Sequence, residues 1–170
     1  MCKMKKRIAM AMAAVLALSA GAVVSAGTPT YDVYKYDGEY LLNVECKTTL
    51  SDFYYYMNFN NPGIDSATSY TIRDANGSLL FSSSYTSHGS EKVKTGIKVE
   101  YDNGYVYEVV VAGDVDGNGA ININDVMDAT RHTGGKAQLK GAYFRAADVL
   151  KDGKVTQTDV DEITKIIARG

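Results

Sequence analysis

Residues 114–125 read DVDGNGAININD, and this short string constrains the fold more than any other part of the chain. Side-chain oxygens stand at its positions 1 (Asp114), 3 (Asp116), 5 (Asn118) and 12 (Asp125), with Gly119 at 6 and Asn122 at 9. Alternate residues of a tight loop aim their oxygens inward, and the sixth must turn so sharply that a Cβ would obstruct it. An all-oxygen set of this kind suits a hard cation that takes six to eight ligands at about 2.3–2.6 Å, which is calcium. Ala120, at position 7, would offer its backbone carbonyl, and Asn122 would reach the ion through water. Asp125 would close the shell from the first turn of a following helix, where a carboxylate is also favoured electrostatically. Ile121, at position 8, is free to pack against a partner loop.

A second string of the same design begins 34 residues later, DVLKDGKVTQTD at 148–159. It places Asp148 at 1, Asp152 at 5, Gly153 at 6, the Lys154 carbonyl at 7, Val155 at 8, Thr156 at 9 and Asp159 at 12. Leu150, at 3, has no ligating atom, and Lys151 adds positive charge, so this loop is expected to hold calcium weakly or not at all. Apolar residues recur at helical spacing after each loop, as Val126, Met127 and Ala129 and as Val160, Ile163, Ile166 and Ile167. Gly134-Gly135 stops the first of these helices, and Leu139 to Ala147 leaves room for a short connecting one. The general EF-hand pattern has Glu at position 12 and a helix before the loop. Here position 12 is Asp, and a strand-like run, VYEVVVAG, leads in.

Two calcium loops, each running directly into a helix and joined by a short linker, resemble the dockerin family with its type I-like repeats. The residues that carry the likeness are GDVDGNGAININDVMDATRH and AADVLKDGKVTQTDVDEITKIIARG, within Gly113–Gly170. LKGAYFRAAD also looks like dockerin linkers in which a short helix precedes an Ala-Ala-Asp entry. Leu150 departs from the pattern. The resemblance implies two antiparallel loop–helix units with pseudo-twofold symmetry, ordered by calcium. It implies binding to a cohesin module of a scaffold protein, as in cellulosomes that assemble extracellular enzymes of polysaccharide catabolism. Carried over by position, the partner contacts would be Ile123, Asn124, Thr130 and Arg131 in the first unit. In the second they would be Gln157, Thr158, Thr164 and Lys165. Many members have Ser-Thr at positions 10 and 11; neither pair here matches, which leaves the type of partner open. Arg131 and Lys165 are equivalent and suit an acidic patch; plain helix solvation is the alternative for each. TGIKVEYDNGYVYEVVVAGDVDG looks like junctions in exported clostridial-type proteins where a small β-domain runs straight into a dockerin.

The N-terminus reads as a secretory signal peptide at residues 1–26. Lys3, Lys5, Lys6 and Arg7 precede an uncharged run from Ile8 to Val24, and Val24-Ser25-Ala26 offers a cleavage site. A transmembrane anchor is the rival; the run is slightly short and rich in Ala and Gly, so no stable anchor is expected. Removing that segment takes four of the 18 basic side chains and none of the 20 acidic ones, which changes the net charge from −2 to −6. Nucleic acid is therefore not an expected partner. Cleavage would also remove Cys2 and leave Cys46 alone, read as a buried strand residue. A small exported protein without a disulfide needs another staple, and bound metal is one.

Residues 27–112 read as a small all-β domain, an antiparallel sandwich or barrel. Strand candidates are Tyr31–Tyr36, Glu39–Cys46, Thr49–Phe59, Ser69–Arg73, Leu79–Ser84, Ile97–Tyr101 and Tyr105–Ala112. Asp37-Gly38, Asn61-Pro62-Gly63, Asp74-Ala75-Asn76-Gly77 and Asp102-Asn103-Gly104 supply turns. Twelve of the 13 Tyr lie between Tyr31 and Tyr107. Tyr54, Tyr55 and Tyr56 in one strand could not all face a core, so a sugar-stacking face is one reading, a face for another protein ligand a second, and plain structural tyrosine a third. No catalytic constellation is legible. His88 reads as a loop residue and His132 as a helix-end cation; no G-x-S-x-G, H-E-x-x-H or Cys/His cluster appears. Asp32, Glu39, Glu45, Asp52 and Asp65 are carboxylates of the kind glycosidases use in pairs. A domain of about 85 residues, however, hardly builds both a core and a deep cleft.

The expectation is thus a secreted, non-catalytic protein, extracellular or in a cell-surface complex. It has a β-domain at 27–112 and an all-α dockerin-like module at 113–170 that docks through calcium onto a cohesin. The alternative is a calcium-stabilised structural or carbohydrate-binding surface protein, with polysaccharide as a further partner. A small glycoside-acting enzyme is the weakest reading.

Overall fold

The computed structural model describes residues 32–36, 38–60, 69–82, 85–86 and 89–169. The expected signal peptide, Asp37, Asn61-Pro62-Gly63, Asp65 and His88 lie outside the described residues, as do the side chains of Asp32 and Tyr56. Seven strands form one sheet: β1 (Asp32–Tyr36), β2 (Glu39–Val44), β3 (Tyr70–Arg73), β4 (Leu79–Ser82), β5 (Tyr85–Thr86), β6 (Lys98–Tyr101) and β7 (Val106–Val111). Their order in space is β1-β2-β7-β6-β3-β4-β5. Two expected turns are realised. Asp74 Oδ1 accepts the Asn76 and Ser78 N–H groups at 2.9 and 2.8 Å, with Gly77 at φ 84°. Between β6 and β7, Gly104 takes φ 88°, a conformation that favours glycine.

The sandwich or barrel expectation is corrected on three counts. Among the described residues the sheet is single and open, with β1 and β5 at its edges. It is also mixed, because β2 runs parallel to β7, from Tyr40↔Tyr107 to Val44↔Val111. And the segment read as a strand over Thr49–Phe59 is a helix, α1 (Leu50–Asn60). Thr49 starts α1: its Oγ1 accepts the Asp52 N–H at 3.1 Å and donates to Asp52 Oδ2 at 2.7 Å, closing the first turn. Leu50, Phe53 and Met57 are then buried at i, i+3 and i+7, with Tyr54 half-buried against Phe81 at a ring separation of 3.7 Å. The strand preference of consecutive tyrosines is weaker than the gain from burying this stripe against the sheet.

Strands β2 and β7 are buried on both faces, which explains the unbroken apolar runs Leu41-Leu42 and Val109-Val110-Val111. Leu42, Val44, Tyr107, Val109 and Val111 join α1 in the main core, together with Ile72, Val93, Ile97, Val99 and Tyr101. Leu41 and Val110 face the other way, toward Ala142 and Ala146 of a helix from the C-terminal part, α3 (Gly141–Ala147). The tyrosines largely serve the main core. Tyr40, Tyr107, Tyr101 and Tyr70 follow one another at ring separations of 5.6, 5.8 and 5.7 Å. On α1, Tyr55 is instead 65% exposed. Cys46 lies in the turn after β2 rather than in a strand, half-buried against this core. The expectation of a lone Cys46 thiol depends on the removal of residues 1–26, which lie outside the described residues.

Beyond β7 the chain is helical, with α2 (Ile123–Thr133), α3 and α4 (Gln157–Arg169). Their core gathers Val115, Ala129, Ala147, Val160 and Ile163, with Ile121 and Val155, both at loop position 8, packed against it. Among the described residues no helix is long and apolar enough to cross a membrane.

Candidate metal centre

Strand β7 delivers the first loop and α2 receives it. Asp114, Asp116 and Asp125 each place a carboxylate oxygen within 4.8 Å of the others. Asp114 and Asp125 are fully buried, and backbone N–H groups hold them. Asp114 Oδ1 accepts from Gly119 at 3.1 Å and its Oδ2 from Thr95 at 2.8 Å. Asp125 accepts from Val115 (2.6 Å) and Asp116 (3.1 Å) on Oδ1, and from Asn122 (2.7 Å) on Oδ2. Asn122 Oδ1 in turn caps α2 at the Asn124 N–H, so the loop's last residues and the helix start are one capping box. Asn118 accepts the Ala120 N–H at 2.8 Å, and Gly119 takes φ 84° at the sharp turn. Burial is the main cause that raises the Asp114 and Asp125 carboxyls above the ordinary aspartate range. The charge of Asp116 pushes the same way, and the N–H donors partly oppose both. Three hard-oxygen donors, two of them buried, thus converge in a loop whose residues 114–125 include no basic side chain. That set fits calcium.

The second loop repeats the scaffold but not the charge. Asp159 accepts from Leu150 (3.2 Å) and Thr156 (2.9 Å), matching the donors of Asp125 at positions 3 and 9. Asp152 accepts the Lys154 N–H at 2.9 Å, as Asn118 does that of Ala120. Asp148, though, forms an ion pair with Arg145 of α3 at 2.6 Å. Leu150 points out, 47% exposed, and Lys151 adopts φ 59°. As a ready-made calcium cage the donor set is poor: position 3 holds an apolar residue, and the expected ligand Asp148 already faces a cation.

The first loop also leans on the sheet. Tyr143 of α3 fills the space above Gly117 of the loop and Gly96 of the turn before β6; a Cβ on Gly117 would come within 2.9 Å of its ring. Gly113 N–H donates to the Ala146 carbonyl at 2.8 Å. At the start of α3, Glu39 and Glu108 both approach Gly141. Burial first, then the Glu39 charge, raises the Glu108 carboxyl, while Lys98 and the Ala142 N–H lower it.

Residues 112–168 match the family described as the dockerin type I domain. This segment is a dockerin type I domain. No curated protein and no solved structure matches the chain.

The dockerin exposes all eight residues expected to meet a partner: Ile123, Asn124, Thr130 and Arg131, and Gln157, Thr158, Thr164 and Lys165. The two units present them alike. Thr130 and Thr164 each donate to the carbonyl four residues back, at 2.6 and 2.9 Å. Arg131 and Lys165 each pair with an acid three residues back, Asp128 at 2.9 Å and Glu162 at 3.0 Å. Met127, counted as apolar helix spacing in the sequence, is 46% exposed one turn from Ile123 at 64%. It belongs to the surface beside Ile123, and only its place on the folded helix reveals that. His132, in the last turn of α2, accepts the Leu139 N–H on Nδ1 at 3.1 Å, and its ring meets Phe144 edge-on. Of the carboxylates considered for glycosidic chemistry, Asp52 is used in the α1 cap, Glu45 is exposed after β2, and Glu39 faces Glu108.

Proposed function

We propose that this chain is an exported, non-catalytic component that docks through its dockerin onto a cohesin module. The cohesin belongs to a scaffold protein of an extracellular polysaccharide-degrading complex of the cellulosome kind. In this reading residues 1–26 are a cleaved signal peptide, 27–112 the β-domain and 113–170 the docking module. Dockerin domains as a family bind cohesins and generally hold calcium. The observation that carries the reading here is the repeat of one exposed arrangement on α2 and α4. Thr130, Arg131 and Asp128 on one helix correspond to Thr164, Lys165 and Glu162 on the other.

In the first loop Asp114, Asp116, Asn118, the Ala120 carbonyl, Asn122 through water, and Asp125 would hold the ion. Calcium would supply the positive charge that lets the three carboxylates stay ionised together. The residues of the chain do the rest. Asn122 and Asp125 set the start of α2, and that start aims Ile123 and Asn124 outward, one to two turns below Met127, Thr130 and Arg131. Loss of the ion would therefore disturb the docking face as well as the loop.

Isothermal titration of the full chain with a panel of cohesin modules, in calcium and in EDTA, tests this. Binding to at least one cohesin in calcium and none in EDTA is expected; no binding to any cohesin in calcium would overturn the reading. A second reading gives the β-domain a sugar ligand. It is favoured by an open hollow of about 290 Å³ lined by Tyr40, Asn103, Gly104, Tyr105 and Val106, where Tyr40 and Tyr105 meet at 5.6 Å. Affinity electrophoresis on starch, xylan and cellulose tests it, and unretarded migration on all three gels would dismiss it.

A further inference from the structure

Arg145 stands three residues before position 1 of the second loop. The same place before the first loop is Val111, buried in β7. Arg145 Nη1 lies 2.6 Å from Asp148 Oδ2 in a nearly sealed pair, the two side chains 13% and 0% exposed. Behind the guanidinium stand the rings of Tyr36 and Tyr34 of β1, at 4.9 and 5.6 Å, a placement that suits a cation. Asp148 has no idle oxygen. Oδ1 accepts the Asp152 N–H at 3.0 Å, and Oδ2 takes Gly153 at 2.9 Å besides Arg145.

Charge separates the two loops further. Residues 114–125 carry three carboxylates and no basic side chain. Residues 148–159 carry three carboxylates with Lys151 and Lys154, and Arg145 brings the local balance to zero. A divalent cation gains little from a neutral site. To reach Asp148 it would also strand the guanidinium, buried against two rings with its anion gone, which is costly.

We propose that Arg145 takes the part of a cation in the second loop. This loop then closes without calcium, and the guanidinium clamps it to the edge strand β1. The dockerin would take one ion, in the first loop, and its second unit would be shaped by the β-domain instead of by metal. The count of one ion rests on the reading of the first loop given above; the role of Arg145 does not.

The test is calcium stoichiometry by native mass spectrometry, with affinities by equilibrium dialysis, on the full chain and three variants. Leu150→Asp restores the missing ligand with Arg145 in place. Arg145→Gln/Leu150→Asp restores it and removes the cation. Arg145→Lys/Leu150→Asp keeps the charge. The expected result is one ion for the wild type and one more for the Gln/Asp variant. The additional ion should bind at least about tenfold more weakly, or not at all, when residue 145 is Arg or Lys. Near-ultraviolet circular dichroism of the tyrosines reports that each variant is folded. Two ions on the wild type, equal uptake by Leu150→Asp and the Gln/Asp variant, or no added ion on a folded Gln/Asp variant would each overturn the proposal. No ion on the wild type with one gained by the Gln/Asp variant would sink the first-loop reading and leave Arg145 in its role.

Discussion

Thr95, in the turn before β6, donates its backbone N–H to Asp114 Oδ2 at 2.8 Å, so the sheet region holds the first residue of the 114–125 loop in place. The Thr95 hydroxyl binds the end of β7 as well, accepting the Val111 N–H at 3.1 Å and reaching the Val111 carbonyl at 3.3 Å. Both residues are buried. The loop and the sheet are therefore linked, and whatever binds the folded loop stabilises the sheet. Thr95→Ala keeps the backbone bond to Asp114 but leaves the buried Val111 N–H without its acceptor, and should cost about 1–3 kcal/mol. Urea denaturation of this variant should show that loss, and calcium titration should show a weaker ion. An unchanged calcium affinity would mean that the Thr95 hydroxyl holds the end of β7 without setting the loop, leaving the backbone bond to Asp114 as the link.

Asp125 accepts three backbone N–H groups from inside a buried loop. Asp125→Ala should abolish the difference in melting temperature between calcium and EDTA. In EDTA alone it should still destabilise, because the Asp125 half of the capping box is lost and three backbone N–H groups are left without an acceptor, an effect of about 1–3 kcal/mol. A variant that kept the full calcium-dependent shift would exclude this residue from the site.

Glu108 gives the junction a pH dependence. Burial, reinforced by the Glu39 charge, raises its carboxyl above the ordinary glutamate range in the folded chain. The folded state then binds the proton more readily than the unfolded state. Stability should fall as pH rises from the ordinary glutamate pKa through the raised value, and the cost should persist at neutral pH. Glu108→Gln should flatten that part of the stability–pH curve and be the more stable form at neutral pH. Superimposable curves for the two proteins would contradict this.

Phe53 tests the helix that replaces an expected strand. Its side chain is fully buried between α1 and the sheet. Phe53→Ala should cost about 3–5 kcal/mol, while Thr49→Ala, which removes only the cap, should cost about 1 kcal/mol. Chemical denaturation measures both, and similar small losses would show that α1 is not packed on the core.

Gly96 marks the close approach of α3 to the sheet. It sits at φ 88°, and a Cβ there would collide with the Tyr143 hydroxyl. Gly96→Ala should destabilise through backbone strain and this clash together, by about 1–3 kcal/mol. Tyr143→Ala in the same chain should return only the part due to the clash. A double-mutant cycle with no coupling would place Tyr143 elsewhere.

Most of the dockerin was legible in the sequence because a cation loop needs particular atoms at particular spacings. Asp114, Asp116, Asn118, Gly119 and Asp125 can be read as a list, and α2 and α4 follow from their apolar period. The β-domain was legible only in part. Its hairpins announce themselves through Asp-Ala-Asn-Gly and Asp-Asn-Gly, but α1 was hidden. Tyr54 to Tyr56 favour strand locally, and the period of Leu50, Phe53 and Met57 has meaning only against a sheet that can receive it. The parallel pairing of β2 with β7 joins residues far apart in the chain, and no local pattern reports it.

The sequence by itself determined where a cation could bind, where the turns fall and that Leu150 leaves position 3 of the second loop without a ligating atom, since each depends on residue type and short-range spacing. Tertiary structure alone decided the rest. It set Arg145 against Asp148, Thr95 against Asp114, and α3 across the face of β2 and β7, because those contacts come from packing distant segments into one core. The asymmetry between the loops is visible as a missing ligand in the sequence; as a site already holding a cation, it exists only in the fold.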